Sequence, residues 1–346
     1  MRISKLKLYI FLSIIAICIL YISGFFIHLR TTSFRHFSYP LDEDIYQYVE
    51  EMKNHLTPSH VPINQMNYYF IKNPHEKCQE NTTLRLVYVI KSAIDHFGRR
   101  EAIRKTWGYE HRFSDVEIRT FFMLGMRNDL DLQHKVSVES EKYKDVIQGS
   151  FIDEYFTNTI KTIMSYRFLV DHCPYSKFYM FVDDDYYVST KNVLRYLRNP
   201  SKYPDYLTNS AMENIQSIEP SRFYAGYAVD AYPMRNLISK FSMPLEEYPY
   251  NKYPLYATAG AYMLSLNTLI DMYYASHFVK FFRFDDVYLG IIAHKLGIIP
   301  HHTPYVTLFY EEYSPEHYQF MIAVHGYDDS NKMEQIWNEQ KELGNA

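Results

Sequence analysis

Three consecutive carboxylates follow an apolar run in the middle of the chain. The run is Phe178-Tyr-Met-Phe-Val182, and Asp183, Asp184 and Asp185 come directly after it. β-Branched and aromatic residues favour a buried strand, so the aspartates are expected where that strand reaches the surface. Clustered carboxylates need a cation there, and Mg²⁺ or Mn²⁺ takes a few carboxylates together with phosphate oxygens. The triplet therefore predicts a divalent cation site that also holds a diphosphate. The alternative is a solvated acidic turn, although such turns rarely continue into two tyrosines, as this one does.

A basic segment with a helical pattern lies upstream, at residues 97–107. Arg100 and Arg104 are four residues apart, so they share one face of the predicted helix. Two guanidinium groups near a strand end can bind phosphates bidentately. The alternative is a surface helix whose arginines pair with acidic neighbours.

A second acidic pair, Asp285 and Asp286, begins a helical pattern that runs to Leu296. Carboxylates at a helix N-terminus are stabilised by capping and by the helix dipole. The functional alternative is a general base within reach of an acceptor hydroxyl. These residues alone leave both interpretations open.

Small residues are concentrated shortly before this pair, at Ala257, Ala259, Gly260 and Ala261. Their lack of bulk permits the close approach of a flat ligand. A tightly packed strand would have the same composition.

Strand and helix patterns alternate from Leu84 onwards, and this alternation predicts the elements that position these motifs. It indicates an α/β domain with a mainly parallel central sheet, in which ligands bind beyond the carboxyl ends of the strands. The predicted strands are 84–90, 116–124, 146–151, 178–182, 226–232, 256–266, 305–309 and 317–325. The predicted helices are 99–107, 131–145, 155–173, 285–296 and 331–343, with some local helix at 42–55.

The N-terminal region predicts a membrane anchor. Residues 8–29 are nearly all apolar and carry no formal charge, which is enough to cross a bilayer as a helix. The short basic tail, residues 1–7, favours a cytoplasmic N-terminus and a lumenal body. Residues 30–83 contain four prolines and no sustained period, so we interpret them as a stem. Residues 84–346 are then a single lumenal domain.

Two further features agree with a lumenal body. Asn81 begins a glycosylation sequon, and Cys78 and Cys173 are the only cysteines outside the membrane segment. Those two cysteines form either one disulfide or two buried thiols. The net charge of −4, with scattered lysines and arginines, does not indicate nucleic acid binding. Aromatic residues, at 17 %, suit either stacking on sugar rings or core packing.

The ordered set of motifs resembles the β-1,3-galactosyltransferase family, which includes β-1,3-N-acetylglucosaminyltransferases. The resemblance covers about residues 84–340. The motifs are Arg100-x-x-x-Arg104-x-Thr106-Trp107, Phe-Val-Asp-Asp-Asp, Tyr-Pro-x-Tyr followed by Gly-x-Tyr and Ser, and Asp-Asp-Val-x-x-Gly. The resemblance implies a type II Golgi membrane protein with a GT-A-like nucleotide-diphospho-sugar transferase domain. It also implies inverting transfer from a UDP-sugar, usually with Mn²⁺, to a glycan on protein or lipid.

The resemblance also implies a role for each matching residue. Asp286 aligns with the catalytic base, and Cys78 and Cys173 occupy positions compatible with a family disulfide. The residues expected to hold the metal are Asp183, Asp185 and His325. The residues expected to contact the nucleotide-sugar are Arg100, Arg104, Asp183 and Asp184. The residues expected around the donor and acceptor are Tyr256, Gly260, Tyr262 and Asp285.

Two departures from the family pattern concern specificity. Ala259 and Ala261 flank Gly260 where the family often has Gly-x-Gly, and Asp285 replaces a commoner Glu. Added methyl groups and a shorter carboxylate would reshape the sugar pocket. Two rival functions stay open, a glycan-binding protein without catalysis and a metal-dependent glycosidase or phosphohydrolase. Retention of the three aspartates and of Asp286 favours a transferase.

Overall fold

The computed structural model describes residues 5–78, 84–207 and 222–346. The predicted glycosylation site at Asn81 lies outside these ranges. The α-helices are α1 (Lys5–Ile22), α2 (Phe25–His28), α3 (Tyr46–Lys53), α4 (Phe97–Lys105), α5 (Leu130–Tyr143), α6 (Asn158–His172), α7 (Thr190–Arg198), α8 (Leu266–Ala275), α9 (Asp285–Lys295) and α10 (Ser330–Glu342). The strands are β1 (Phe70–Lys72), β2 (Leu84–Lys91), β3 (Ile118–Met126), β4 (Val146–Ile152), β5 (Ser176–Asp183), β6 (Tyr186–Val188), β7 (Tyr224–Val229), β8 (Tyr256–Ser265), β9 (His301–His302) and β10 (Ala323–His325).

One large sheet organises the domain, with the strand order β1-β4-β3-β2-β5-β8-β7-β9. The central strands β4, β3, β2 and β5 run parallel, whereas β8 is antiparallel to both β5 and β7. Because the central strands are parallel, their carboxyl ends meet at the same edge of the sheet. The predicted α/β class with a mainly parallel central sheet is confirmed.

Alternate residues of the central strands pack into two different core layers. In β2, Val87 and Val89 belong to the layer that contains residues of α3, α6, α8 and α9. Leu86, Tyr88 and Ile90 belong to the layer that contains residues of α4 and α10. Successive strand side chains point to opposite faces, so a strand buried on both sides is apolar throughout. This explains why the strand before the aspartates has no polar residue between Phe178 and Val182.

The last two predicted strands are mostly wrong. Residues 305–309 take part in only an isolated bridge, between Val306 and Ala323. Residues 317–325 begin as a short 3₁₀ turn after Pro315, and only β10 at their end is a strand. The fixed φ angle of proline suits the start of a helical turn and not a continuous strand. β10 pairs with β6 as a small antiparallel ribbon that carries His325 next to the aspartate triplet.

The N-terminal helix α1 is long and apolar enough to cross a membrane. Its mean hydropathy is 2.1, and none of it is buried within the protein. The helix ends at Ile22, because Gly24 adopts a left-handed conformation with φ 79° before α2 begins. The predicted span, residues 8–29, therefore comprises one long and one short helix.

Part of the predicted stem packs against the domain. Ile45 and Val49 are fully buried in the same core layer as α8. The side-chain amide of Asn64 donates to the carbonyl oxygen of Ser276 at 2.7 Å. β1 adds a short antiparallel strand beside β4. Part of the predicted stem, residues 30–83, thus packs against the domain, and β1 within it belongs to the large sheet.

Candidate functional site

The two acidic motifs meet at a single buried ammonium group. Lys91 ends β2 and is the register partner of Asp183, which ends β5. Its Nζ lies 3.1 Å from Asp183 Oδ1 and 2.9 Å from Asp285 Oδ2. Burial acts to lower the pKa of Lys91, but the two carboxylates outweigh it and raise the pKa. A charged lysine therefore joins the aspartate triplet to the N-terminus of α9, about a hundred residues away in sequence.

Asp183 faces two competing effects. Desolvation raises its pKa to about 7, the nearby Lys91 opposes this rise, and the charges of Asp185 and Asp285 add to it. The side chain keeps 39 % of its surface exposed, so the rise reflects crowding by protein atoms and not complete burial. A cation close to this carboxylate would favour its charged form.

Asp184 is committed to contacts within the protein. Its carboxylate lies 2.9 Å from Nδ1 of His96 and 2.8 Å from a guanidinium nitrogen of Arg99. Burial would raise the pKa of Asp184, but hydrogen bonds from His96 and Arg99 outweigh it and lower the pKa. The other arm of Arg99 reaches Asp328 at 2.6 Å. These contacts hold the strand end against α4, and the predicted nucleotide contact of Asp184 stays a prediction.

Asp185 and His325 form the pair with cation-binding potential. His325 Nε2 lies 3.4 Å from Asp185 Oδ2, and this carboxylate raises the pKa of the imidazole. Asp185 Oδ1 is buried and has no hydrogen-bond partner. An unpaired buried carboxylate oxygen beside an imidazole suits a divalent cation such as Mn²⁺. Across residues 5–78, 84–207 and 222–346, no three His, Cys, Asp or Glu side chains form a complete metal cluster. A cation here would need ligands from a bound molecule, as phosphate oxygens provide.

The two predicted phosphate-binding arginines lie elsewhere. Arg100 is fully buried, and its guanidinium donates to Glu139, to Ser92 Oγ and to backbone carbonyls. Arg104 pairs with Asp145 and Glu139. The shared helix face was predicted correctly, but it faces acidic residues of the protein. Both arginines stabilise the fold, and Arg99 is the α4 residue that reaches the aspartate triplet.

Asp286 lies in a cavity of about 310 Å³. Desolvation, followed by the charge of Asp285, raises the pKa of Asp286 to about 7. Its Oδ1 accepts a hydrogen bond from the backbone N–H of Val287 at 2.8 Å. Phe284 precedes the helix without a side-chain cap, so neither aspartate caps α9 as Ncap residue. The other titratable and charged side chains that line the cavity are Tyr155, Tyr232, Tyr253, Tyr256, Arg283 and Asp285. A carboxylate with a pKa near neutrality in a half-open cavity can serve as a general base.

The predicted pocket residues divide into three groups. Tyr256 lines the cavity with Asp286. Asp285 touches it too, but its Oδ2 accepts from Lys91 and from Thr162 Oγ1. Tyr262 is fully buried, stacks on Phe181 and hydrogen-bonds to Tyr166, so its assignment to the pocket was wrong. A large aromatic ring in a central strand buried on both faces is a core residue.

The absence of a side chain at Gly260 leaves room for the hydroxyl group of Tyr186. A Cβ atom on Gly260 would lie 2.2 Å from the Tyr186 hydroxyl oxygen. Tyr186 in turn packs against His325, with ring centroids 5.1 Å apart. The small residue therefore makes room for the ring that packs against His325.

Three residues that reasoning from the sequence missed complete this site: Lys91, His96 and Arg99. Lys91 follows the apolar strand pattern 84–90 directly, so a cation at that strand end was visible in the sequence. Its register with Asp183 was not visible, because pairing between strands depends on the whole sheet. The two cysteines are joined: Cys78 and Cys173 form a disulfide with Cα atoms 5.2 Å apart.

Comparison with known proteins bears on the family of this chain. The galactosyltransferase family model matches residues 98–304. A β-1,3-galactosyltransferase of Drosophila melanogaster, brn, is 39 % identical over 91 % of this chain and 90 % of its own length. β-1,3-galactosyltransferase 1 of Mus musculus is 32 % identical over 80 % of each chain. The galactosyltransferase LgtC, solved with donor and acceptor sugar analogues, is 12 % identical and covers 75 % of this chain and all of its own, with a TM-score of 0.34.

The Drosophila relative covers nearly the whole chain at an identity at which proteins share a family. The family model runs from the first turn of α4 to just beyond β9 and includes both acidic motifs. The low TM-score of the solved structure adds nothing to this. The chain is a glycosyltransferase and belongs to the galactosyltransferase family.

Proposed function

We propose that the chain transfers a hexose from a UDP-sugar to a glycan hydroxyl, forms a β-1,3 linkage and inverts the anomeric centre. The donor sugar is galactose, N-acetylglucosamine or N-acetylgalactosamine, and the acceptor is a glycan on a protein or lipid. The observation that carries this proposal is the double ion pair of Lys91. This lysine joins Asp183, which belongs to the proposed donor site, to Asp285 in α9, the helix that also carries Asp286.

The base would be Asp286. Its carboxylate removes the proton of the acceptor hydroxyl while that oxygen attacks the anomeric carbon. The bond between the anomeric carbon and the diphosphate oxygen breaks, and UDP leaves with the electron pair. Inversion requires one base and no covalent intermediate, so one carboxylate in the cavity suffices. With its pKa raised to about 7, about half of this carboxylate is deprotonated and able to accept a proton at neutral pH.

Asp185 and His325 would hold the divalent cation together with diphosphate oxygens, with Asp185 the nearer ligand because its Oδ1 has no partner in the protein. Asp183 would have to move closer to join them as a third ligand, because the three side chains form no metal-binding group in the part of the chain that the structure describes. When bound, such a cation neutralises negative charge on the departing diphosphate. Lys91 keeps Asp183 close to this position and offsets the mutual repulsion of Asp183 and Asp285.

The proposed cellular setting is the Golgi membrane. α1 would span the bilayer as a single-pass type II anchor, with residues 1–7 in the cytoplasm and the catalytic domain in the lumen. The apolar surface of α1 supports this, since none of it is covered by the protein.

A donor screen tests the proposed reaction. The full chain in detergent is incubated with several UDP-sugars, Mn²⁺ and an array of glycan acceptors, and UDP release is measured. We expect release with one class of UDP-sugar that depends on both acceptor and cation. If none of the UDP-sugars gives UDP release although the chain binds acceptors, the rival glycan-binding function would be favoured.

A further inference from the structure

One loop of the domain exposes many apolar side chains. Residues 232–241 follow β7, and their exposed apolar side chains are Tyr232, Met234, Leu237, Ile238 and Phe241. Ile238 is the most exposed, at 78 %. Single exposed apolar residues are ordinary, but a contiguous apolar patch marks a surface that binds something apolar.

This loop contacts the end of the apolar N-terminal helix. The backbone N–H of Leu237 donates to the carbonyl oxygen of Ile22, the last residue of α1, at 3.1 Å. Gly24 lies so close to Arg235 that a Cβ atom would be 2.2 Å from the Arg235 carbonyl oxygen. The loop is therefore located at the C-terminal end of α1.

The loop is also held firmly on the domain. The guanidinium of Arg235 is buried and donates to the carbonyl oxygens of Tyr248 and Tyr250 at 2.7 and 2.9 Å. These buried hydrogen bonds fix Arg235 to the domain, while the side chains of Leu237 and Ile238 are exposed to solvent. The exposed side chains thus form a built surface beside the end of α1.

We propose that residues 232–241 are a membrane-docking loop, with Leu237 and Ile238 inserted into the interface of the bilayer that α1 spans. This inference rests on the membrane anchoring proposed above. The bilayer is the occupant because the exposed side chains continue the apolar surface of α1 at the point where that helix ends. Apolar side chains at this position gain from entering the boundary between headgroups and acyl chains.

Docking would also set the position of the active-site cavity. Tyr232, Met234 and Phe241 of the loop line the cavity that contains Asp286. A loop resting on the bilayer would therefore hold the cavity mouth close to the membrane surface and limit rotation of the domain about its anchor.

Tryptophan quenching by brominated lipids tests the docking. The two native tryptophans, Trp107 and Trp337, are 1 % and 2 % exposed and give a low quenching background. The full chain is reconstituted into phosphatidylcholine vesicles with acyl chains brominated near the headgroup. Three single variants report on three places: Ile238→Trp in the loop, Ile15→Trp in α1 and Leu130→Trp as the control.

Leu130 is a matched control because it is 88 % exposed and follows β3 at the same edge of the sheet. Four strand spacings, about 19 Å, separate β3 from β7. We expect the added tryptophans at positions 15 and 238 to lose about half of their fluorescence. The one at position 130 should lose little.

The outcomes separate this inference from the anchoring on which it depends. Quenching at position 15 without quenching at position 238 would leave the anchor intact and overturn the docking loop. Absence of quenching at both positions would overturn the anchoring as well. Equal quenching at positions 130 and 238 would also contradict docking through this loop, because the control position would then lie as close to the bilayer as the loop. A Leu237→Trp variant gives a second reading from the same surface.

Discussion

Lys91 is the residue on which the site geometry depends. It is buried, and its ammonium is shared by Asp183 and Asp285. Removal of one partner from a buried ion pair leaves an uncompensated charge, which is costly. The lysine therefore contributes both to stability and to the relative position of the two acidic motifs.

Replacement of Lys91 by Met should reduce transfer on the order of 100-fold, because the carboxylates that face the donor lose their fixed positions. The matched control is Lys161→Met, which removes another buried lysine that pairs with Asp153 and with the Ser92 carbonyl oxygen. Both variants should lower the unfolding temperature. Transfer per folded molecule and calorimetric binding of UDP with Mn²⁺ should fall for the Lys91 variant alone. Equal losses in the two variants would mean that Lys91 acts through stability only.

The pH dependence of turnover reports on Asp286. Its pKa is raised to about 7, so the carboxylate is protonated and unable to act as a base at lower pH. We expect the turnover number, with donor and cation saturating, to fall about tenfold per pH unit below about pH 7. A turnover number that stays constant between about pH 8 and about pH 5.5 would contradict this assignment.

At the scale of elements, the small antiparallel ribbon of β6 and β10 is the least obvious part of the site. It places His325 beside Asp185, and the ring of Tyr186 fills the space above Gly260. Displacement of the Tyr186 ring should therefore weaken cation binding, although Tyr186 is not one of the proposed cation ligands.

A Gly260→Ala variant tests this arrangement. The added methyl group would overlap the Tyr186 ring, which is buried and cannot move away easily, at a cost of about 1–3 kcal/mol. We expect a higher Mn²⁺ concentration for half-maximal activity, with partial recovery in the double variant Gly260→Ala, Tyr186→Phe. The control is Gly98→Ala, because a Cβ atom there would meet nothing within 4 Å. An unchanged Mn²⁺ requirement in Gly260→Ala would contradict this arrangement, because displacement of the Tyr186 ring would then not affect cation binding.

The elements also show what the sequence could and could not predict. The aspartate triplet was expected at the end of a buried strand, and it lies there, because a continuous apolar run before it leaves few other choices. The face shared by Arg100 and Arg104 was expected as well. Its direction was not, because helical periodicity does not say whether a face meets a ligand or, as here, Glu139 and Asp145. The meeting of Lys91 with Asp285 depends on tertiary packing that no local pattern records.

At the scale of the whole molecule, the segment between α1 and β2 belongs partly to the domain. Ile45, directly before α3, and Val49 within it are fully buried, and Lys53 at its end pairs with the buried Asp271 at 2.7 Å. The disulfide between Cys78 and Cys173 ties the end of the same segment to α6.

Truncation tests this view. A chain that comprises residues 30–346 should fold and keep its thermal transition, whereas residues 84–346 should unfold at a much lower temperature. The shorter chain loses α3, β1 and the disulfide, and loss of a native disulfide alone typically costs about 2–5 kcal/mol. Equal unfolding temperatures for the two chains would support a domain boundary at residue 84 and a stem, residues 30–83, that adds no stability to the domain.

The measurement that tests the central claim most directly is the separation of transfer from donor binding in Asp286→Asn. The matched control is Asp131→Asn, an exposed carboxylate in the first turn of α5. We expect transfer to fall about 10²–10⁴-fold, the usual worth of a general base, with UDP binding in the presence of Mn²⁺ nearly unchanged. Near-normal turnover in the Asp286 variant, or loss of UDP binding in parallel with activity, would contradict the account.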